Sequence, residues 1–148
     1  MARDAERPLS AEGATLVRAA GEALRAGGVV PDILLASPLR RAQQTAELLS
    51  RALRWSGPIE TCDALKPEAS EEQFVELLRR RPADSCVVAV GHQPLLGSLT
   101  AMLLGRSGDV VGVKPSTIIW LDFAQWPRVE QGILRGLWGP ELWEKLKL

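Results

Sequence analysis

The sequence predicts an α/β domain, a three-layer α/β/α sandwich built on a mostly parallel sheet. Three observations lead there. The runs Ile33-Leu34-Leu35-Ala36 and Cys86-Val87-Val88-Ala89-Val90 are apolar without interruption, as strands covered on both faces are. Each run gives way to a turn containing proline, and then to apolar residues at helical spacing. Strands alternate with helices in this way through the first two thirds of the chain, which defines βα units. A length of 148 residues suits one domain, residues 1–148, and no linker, repeat or low-complexity tract divides it.

Ser10 is placed to cap a first helix with Leu16, Ala20 and Leu24 on one stripe, and Gly27-Gly28 ends it. After the strand at 33–36, Ser37 and Pro38 fit the N-cap and first position of a second helix. Its stripe is Leu39, Ala42, Ala46, Leu49 and Leu53, and Trp55-Ser56-Gly57-Pro58 breaks it. Residues 59–62 read as a short strand. Ser70 and Gln73 form a capping box ahead of Phe74, Leu77 and Leu78. Pro94 opens a helix whose Leu95, Leu99, Met102 and Leu103 face the core, and residues 105–112 are a turn-rich connection. Residues 117–123 and 131–135 read as two strands about a Gln125-Trp126-Pro127 turn, a hairpin lending antiparallel character to one edge of the sheet. Gly139-Pro140 introduces a short amphipathic helix that ends in Lys145-Leu146-Lys147. The pattern starts on a helix, with no strand before it.

Eighteen basic residues balance eighteen acidic ones, so a general grip on nucleic acid or attraction to an acidic membrane is not expected. Arg79-Arg80-Arg81 reads as a solvated helix end near the negative pole of the dipole. Cys62 and Cys86 match no metal or redox spacing, and Cys86 reads as a small buried hydrophobe. No apolar stretch is long enough to cross a bilayer, and the acid-bearing first residues do not form a secretory signal; the expected location is the cytoplasm. Trp120, Trp126, Trp138 and Trp143 read as core and edge packing rather than a base-stacking platform.

The chemistry centres on two strand ends. His92 is the only histidine, and it lies just past an apolar strand in Val90-Gly91-His92-Gln93-Pro94, where open α/β sheets keep ligands. Arg41 lies in the opening turn of the helix after the strand at 33–36. There its guanidinium and free backbone N–H groups can converge on one anion. Together they read as a phosphate site. The plainer readings also stand: Arg41 as a helix residue snorkelling over Leu39 or Thr45, and His92 as a structural imidazole bonded to nearby carbonyls. Arg40 points to solvent. Ser37 and Thr45 are accessory candidates, although capping accounts for Ser37 and helix packing for Thr45. Among Glu60, Asp63, Glu68 and Asp109, Glu68 is the most plausible loop carboxylate, or else a solvated residue. Lys66 and Lys114 are candidates for the mouth of an anionic site. With no second histidine and no ligand cluster at suitable spacing, no metal is expected. Nucleophile-elbow, Walker and dinucleotide glycine motifs are absent from the sequence.

Ser37-Pro38-Leu39-Arg40-Arg41-Ala42-Gln43-Gln44-Thr45-Ala46, followed by Val90-Gly91-His92-Gln93-Pro94, resembles the histidine phosphatase superfamily. With Glu6-Arg7-Pro8-Leu9-Ser10-Ala11-Glu12-Gly13, the chain is most similar to the small bacterial phosphohistidine phosphatases, the SixA-like branch. The resemblance implies a phosphoglycerate mutase-like fold and a double displacement. A histidine in an Arg-His-Gly motif on the first strand attacks phosphorus, and water then hydrolyses the phosphohistidine intermediate. It also implies that Arg41 is the helix-borne phosphate arginine and His92 the second histidine, which stabilises growing charge, with no metal or cofactor. The implied substrate is a phosphohistidine-bearing carrier or signalling protein, or a small phosphoester. The sequence departs from the family where the reaction begins: there is no Arg-His-Gly and no strand to carry it. The expectation is an N-terminally incomplete domain whose missing strand belongs beside residues 87–90, unstable or aggregation-prone and without phosphatase turnover. The alternative is a non-catalytic phosphate- or phosphoprotein-binding module.

Overall fold

The computed structural model describes residues 2–106, 113–125 and 131–146. In chain order the helices are α1 (Ala2–Ala5), α2 (Ala11–Ala26), α3 (Arg40–Ala52), α4 (Glu71–Arg79), α5 (Leu95–Leu103) and α6 (Pro140–Leu146). The strands are β1 (Ile33–Ala36), β2 (Ile59–Thr61), β3 (Val87–Val90), β4 (Ile118–Phe123) and β5 (Gly132–Trp138), with a 3-10 turn at Asp63–Leu65. The connection at 107–112, the Trp126-Pro127 part of the expected turn and Lys147 lie outside the described residues.

β1 is the centre of a three-stranded parallel sheet of order β2-β1-β3. Its Leu34, Leu35 and Ala36 are almost fully buried, as a strand with a neighbour on each edge and helices on each face must be. Period-two alternation divides β3 between two layers. Val88 and Val90 pack with Val17 of α2 and with Leu49 and Leu53 at the end of α3. Val87 and Ala89 pack on the other face with Phe74, Val75 and Leu78 of α4 and Leu99 and Leu103 of α5. The result is the expected α/β/α sandwich.

Local chemistry fixes the helix ends. Ser10 accepts from the Gly13 N–H, and Ser70 and Gln73 form the reciprocal capping box. Gly28, at φ +84°, takes the left-handed conformation that ends α2. The expected cap of α3 is not found. Leu39 is the N-cap and makes no side-chain bond, and the helix starts at Arg40; Ser37, two residues before that cap, shares its hydroxyl between the Leu39 N–H and His92. The arginine run at 79–81 is also more than a solvated end: Arg81 Nη2 reaches Glu60 Oε2 at 2.8 Å, tying the loop after α4 to β2. Cys86 precedes β3 rather than opening it, and its N–H donates to the Asp32 carboxylate at 2.7 Å.

The hairpin forms, with β5 running three residues further than expected, through Trp138. It does not extend the parallel sheet, however; β4 and β5 make a separate two-stranded sheet. Side-chain packing, rather than a ladder to β3, holds it in place. Leu121 and Phe123 join the α4/α5 cluster, while Ile118 and Trp138 join Ala19, Ala20 and Trp143 on the α2/α6 side. The Trp143 indole donates to the Ser116 carbonyl at 2.7 Å. Among the described residues, β3 and β4 each pair along one edge only. All four residues of β3 are partly exposed, and Trp120, Ile133, Leu134 and Leu137 of the hairpin are exposed. No described helix is long and apolar enough to cross a membrane.

Two outcomes follow from this packing. Leu35→Ala, at a side chain only 1 % exposed, should cost about 2–5 kcal/mol in a urea titration, and a loss below about 1 kcal/mol would contradict this core. The apolar edges left unpaired among the described residues should make the chain self-associate as its concentration rises, which sedimentation velocity would detect. A monomer persisting at high concentration would count against open edges.

Candidate anion site

Both candidate groups emerge from the carboxyl ends of neighbouring strands. β1 and β3 pair in register from Ile33 with Val87 to Ala36 with Val90, and the Ser37 N–H continues the ladder to the Val90 carbonyl at 3.0 Å. The two chains therefore leave the sheet side by side. One turns into α3 and presents Arg41; the other turns at Gly91 and presents His92. Gly91 suits the turn because a Cβ there would lie 3.2 Å from Leu96 and 3.4 Å from Leu65.

His92 Nε2 lies 2.7 Å from Ser37 Oγ. Ser37 is completely buried, and its oxygen also accepts from the Leu39 N–H at 3.3 Å. This arrangement fits a neutral ring carrying its proton on Nδ1, with the hydroxyl donating to Nε2. A hydroxyl with no accessible surface is not available to attack a substrate. It fixes the ring instead, a role that capping logic missed. Burial pushes the His92 pKa below its ordinary value of 6.5, and the Arg41 charge lowers it further; Asp4 and Glu68 pull weakly the other way. The guanidinium field thus reaches the imidazole.

Arg41 is partly buried, and its donors are directed toward Asp4, Nη1 to the main-chain oxygen at 2.9 Å. The snorkelling alternative does not describe it. Arg40 is exposed as expected, with Nη1 3.5 Å from the Glu6 carbonyl. Thr45 back-bonds to the Arg41 carbonyl at 2.8 Å, a helix-packing role. Gln43, which sequence reasoning passed over, donates to the Ser37 carbonyl at 2.9 Å and lies 3.3 Å from the Thr61 hydroxyl, clasping the ends of β1 and β2. Gln44 accepts from the Leu9 N–H at 2.7 Å and holds the N-terminal segment on α3. The paired glutamines were the signal for both contacts.

Glu68 is exposed, and it acts on His92 through its charge. Glu60 is taken by Arg81 and Asp63 by Lys66, and Asp109 lies outside the described residues. Lys114 pairs with Glu141 of α6, which removes it from the candidate site's mouth. Burial raises the pKa of both thiols, so neither has thiolate character. Among the described residues, no group of three or more His, Cys, Asp or Glu side chains is arranged to hold a metal. A shallow recess beside α4, lined by Ala64, Leu77 and Arg81 among others, includes neither Arg41 nor His92.

Comparison with known proteins agrees with this fold. The sequence profile of the histidine phosphatase superfamily (branch 1) matches residues 1–67. An uncharacterised protein of Picosynechococcus sp. is 37 % identical over 123 residues, spanning 81 % of this chain and 74 % of its own length. The structure of the protein histidine phosphatase SixA complexed with tungstate superposes with a TM-score of 0.82 at 25 % identity, covering 96 % of this chain and 90 % of that one. A SixA-type protein of Agrobacterium tumefaciens shares the fold at a TM-score of 0.78 and 22 % identity, covering 93 % of this chain and 86 % of its own. The chain belongs to the histidine phosphatase superfamily. Within that class it falls in the SixA-like branch.

The depressed His92 pKa has a testable consequence. Folding disfavours the protonated ring, so the unfolded chain binds more protons between the folded pKa and about 6.5. This contribution to stability is complete above that window and is lost as pH falls through it. The single-histidine NMR titration should show a midpoint below 6.5 that rises in Arg41→Gln. An unchanged midpoint in the variant would separate the two side chains.

Proposed function

We propose that this domain is of the phosphohistidine phosphatase type and removes phosphate from a phosphohistidine carried by a protein. The observation that carries the reading is the emergence of Arg41 and His92 from adjacent strand ends, with Ser37 fixing the imidazole. Arg41 holds phosphoryl oxygens, using charge-assisted bonds that suit a planar guanidinium. His92 presents its ring to the same oxygens and stabilises the charge that builds as the bond to the leaving group lengthens. Ser37 positions the ring, and Glu68 is an accessory carboxylate at the rim. Phosphohistidine-bearing proteins are the preferred partners and small phosphoesters the second choice; the expected setting is the cytoplasm.

Double displacement needs a nucleophile distinct from His92, and the 148 residues contain one histidine. In this reading an enzymic histidine receives the phosphoryl group as the substrate imidazole departs with a proton. Water then cleaves the new P–N bond and releases inorganic phosphate. That histidine is not among the 148 residues. Among the described residues β3 and β4 each keep one unpaired edge, where a further strand carrying it would fit. Residues 1–148 alone would then bind phosphoryl groups without turning them over, which joins the phosphatase reading to the binding-module reading.

The 148-residue chain should bind tungstate in isothermal titration calorimetry, and Arg41→Ala should weaken binding about tenfold or more. It should release no phosphate from a phosphohistidine peptide. Undiminished binding by the variant would end the assignment of Arg41. Sustained turnover by the 148-residue chain would show that the nucleophile has been misplaced.

A further inference from the structure

Arg41 does not stand open to solvent. Besides the 2.9 Å bond from Nη1 to the Asp4 carbonyl, Nη2 lies 3.4 Å from the Asp4 carboxylate. The segment carrying Asp4 is fastened to α3 at two more points, Arg40 to the Glu6 carbonyl and the Leu9 N–H to Gln44. Residues 4–9 therefore run as a strap over the start of α3. The Asp4 carboxylate also meets Arg7 at 3.4 Å, and its charge acts on His92 in the sense opposite to that of Arg41.

This arrangement places an anion of the chain's own on the cation that the proposed function assigns to the phosphoryl group. Resting on that reading of Arg41, we propose that Asp4 is a built-in competitor for the anion site: its oxygens occupy guanidinium donors that a phosphoryl group needs. A guanidinium has five N–H donors in a fixed fork, so oxygens approaching the same Nη pair exclude one another. The contact is also of a kind that a ligand can displace. The Asp4 side chain is 51 % exposed and the Arg41 side chain 22 %, so water screens the pair and holds its strength down. A phosphoryl dianion brings more charge to Arg41 than one carboxylate does. Binding is thereby coupled to release of the strap from Arg41, and phosphoryl affinity is set partly by a residue that need not touch the ligand.

Asp4→Asn keeps the shape and the main-chain oxygen but removes the charge, and at an exposed position it leaves the fold intact. Its affinity for tungstate should rise roughly two- to fivefold over the parent chain, the range expected on removing an exposed ion pair. Asp4→Ala should change in the same direction. Arg41→Ala, measured alongside, reports on the site itself. If both Asp4 variants bind no more tightly than the parent, or more weakly, while Arg41→Ala still loses affinity, the competitor role is overturned and the site stands. If Arg41→Ala binds as the parent does, the site reading fails and the competitor role fails with it.

Discussion

The parallel pairing of β1 with β3 is the constraint on which the rest depends. Four matched residue pairs, extended by the Ser37 N–H to the Val90 carbonyl, bring both strands to an end at the same level. Because the chain leaves both strands in the same direction, both following turns open on one side of the sheet. Ser37 can then reach His92 at 2.7 Å, and the helix behind Ser37 carries Arg41 within electrostatic range of the imidazole. A one-residue slip in this register would turn Val88 and Val90 away from α2 and α3 and would separate the two turns.

Around that pairing the core is unevenly complete. The α4/α5 side is a continuous apolar cluster with Leu65 and Val75 at its centre, while the hairpin at the other end leaves Trp120 and several β5 residues exposed. α2 spans the difference, with Val17 beneath β3 and Ala19 and Ala20 against α6. The helical layers are therefore shared by two sheets that do not share hydrogen bonds among the described residues.

Much of this was legible in the sequence, for physical reasons that can be named. Unbroken apolar runs gave β1 and β3, and the reciprocal chemistry of Ser70 and Gln73 marked the start of α4. The position of His92 after a strand was enough to nominate it. What could not be read depended on partners distant in sequence. Ser37 looks like a cap because serine before proline often is one, yet its hydroxyl is committed to a residue 55 positions away. Arg81 reads as a solvated charge from its neighbours in sequence, and only the fold sets Glu60 beside it. The hairpin was visible from its two apolar stretches, but local pattern carries no information on whether β4 pairs with β3. Nothing in the first residues suggested α1, or that Asp4 would lie against Arg41.

The span between Ser37 and His92 also bears on how the molecule comes into being. The strands that bring them together are separated by two helices and another strand, so their contact belongs to the non-local class whose loop closure delays folding. No local fragment contains both groups. In the proposed reading, ligand recognition is consequently a property acquired only when the long crossover has closed, and a nascent polypeptide would be blind to phosphate until β3 has docked.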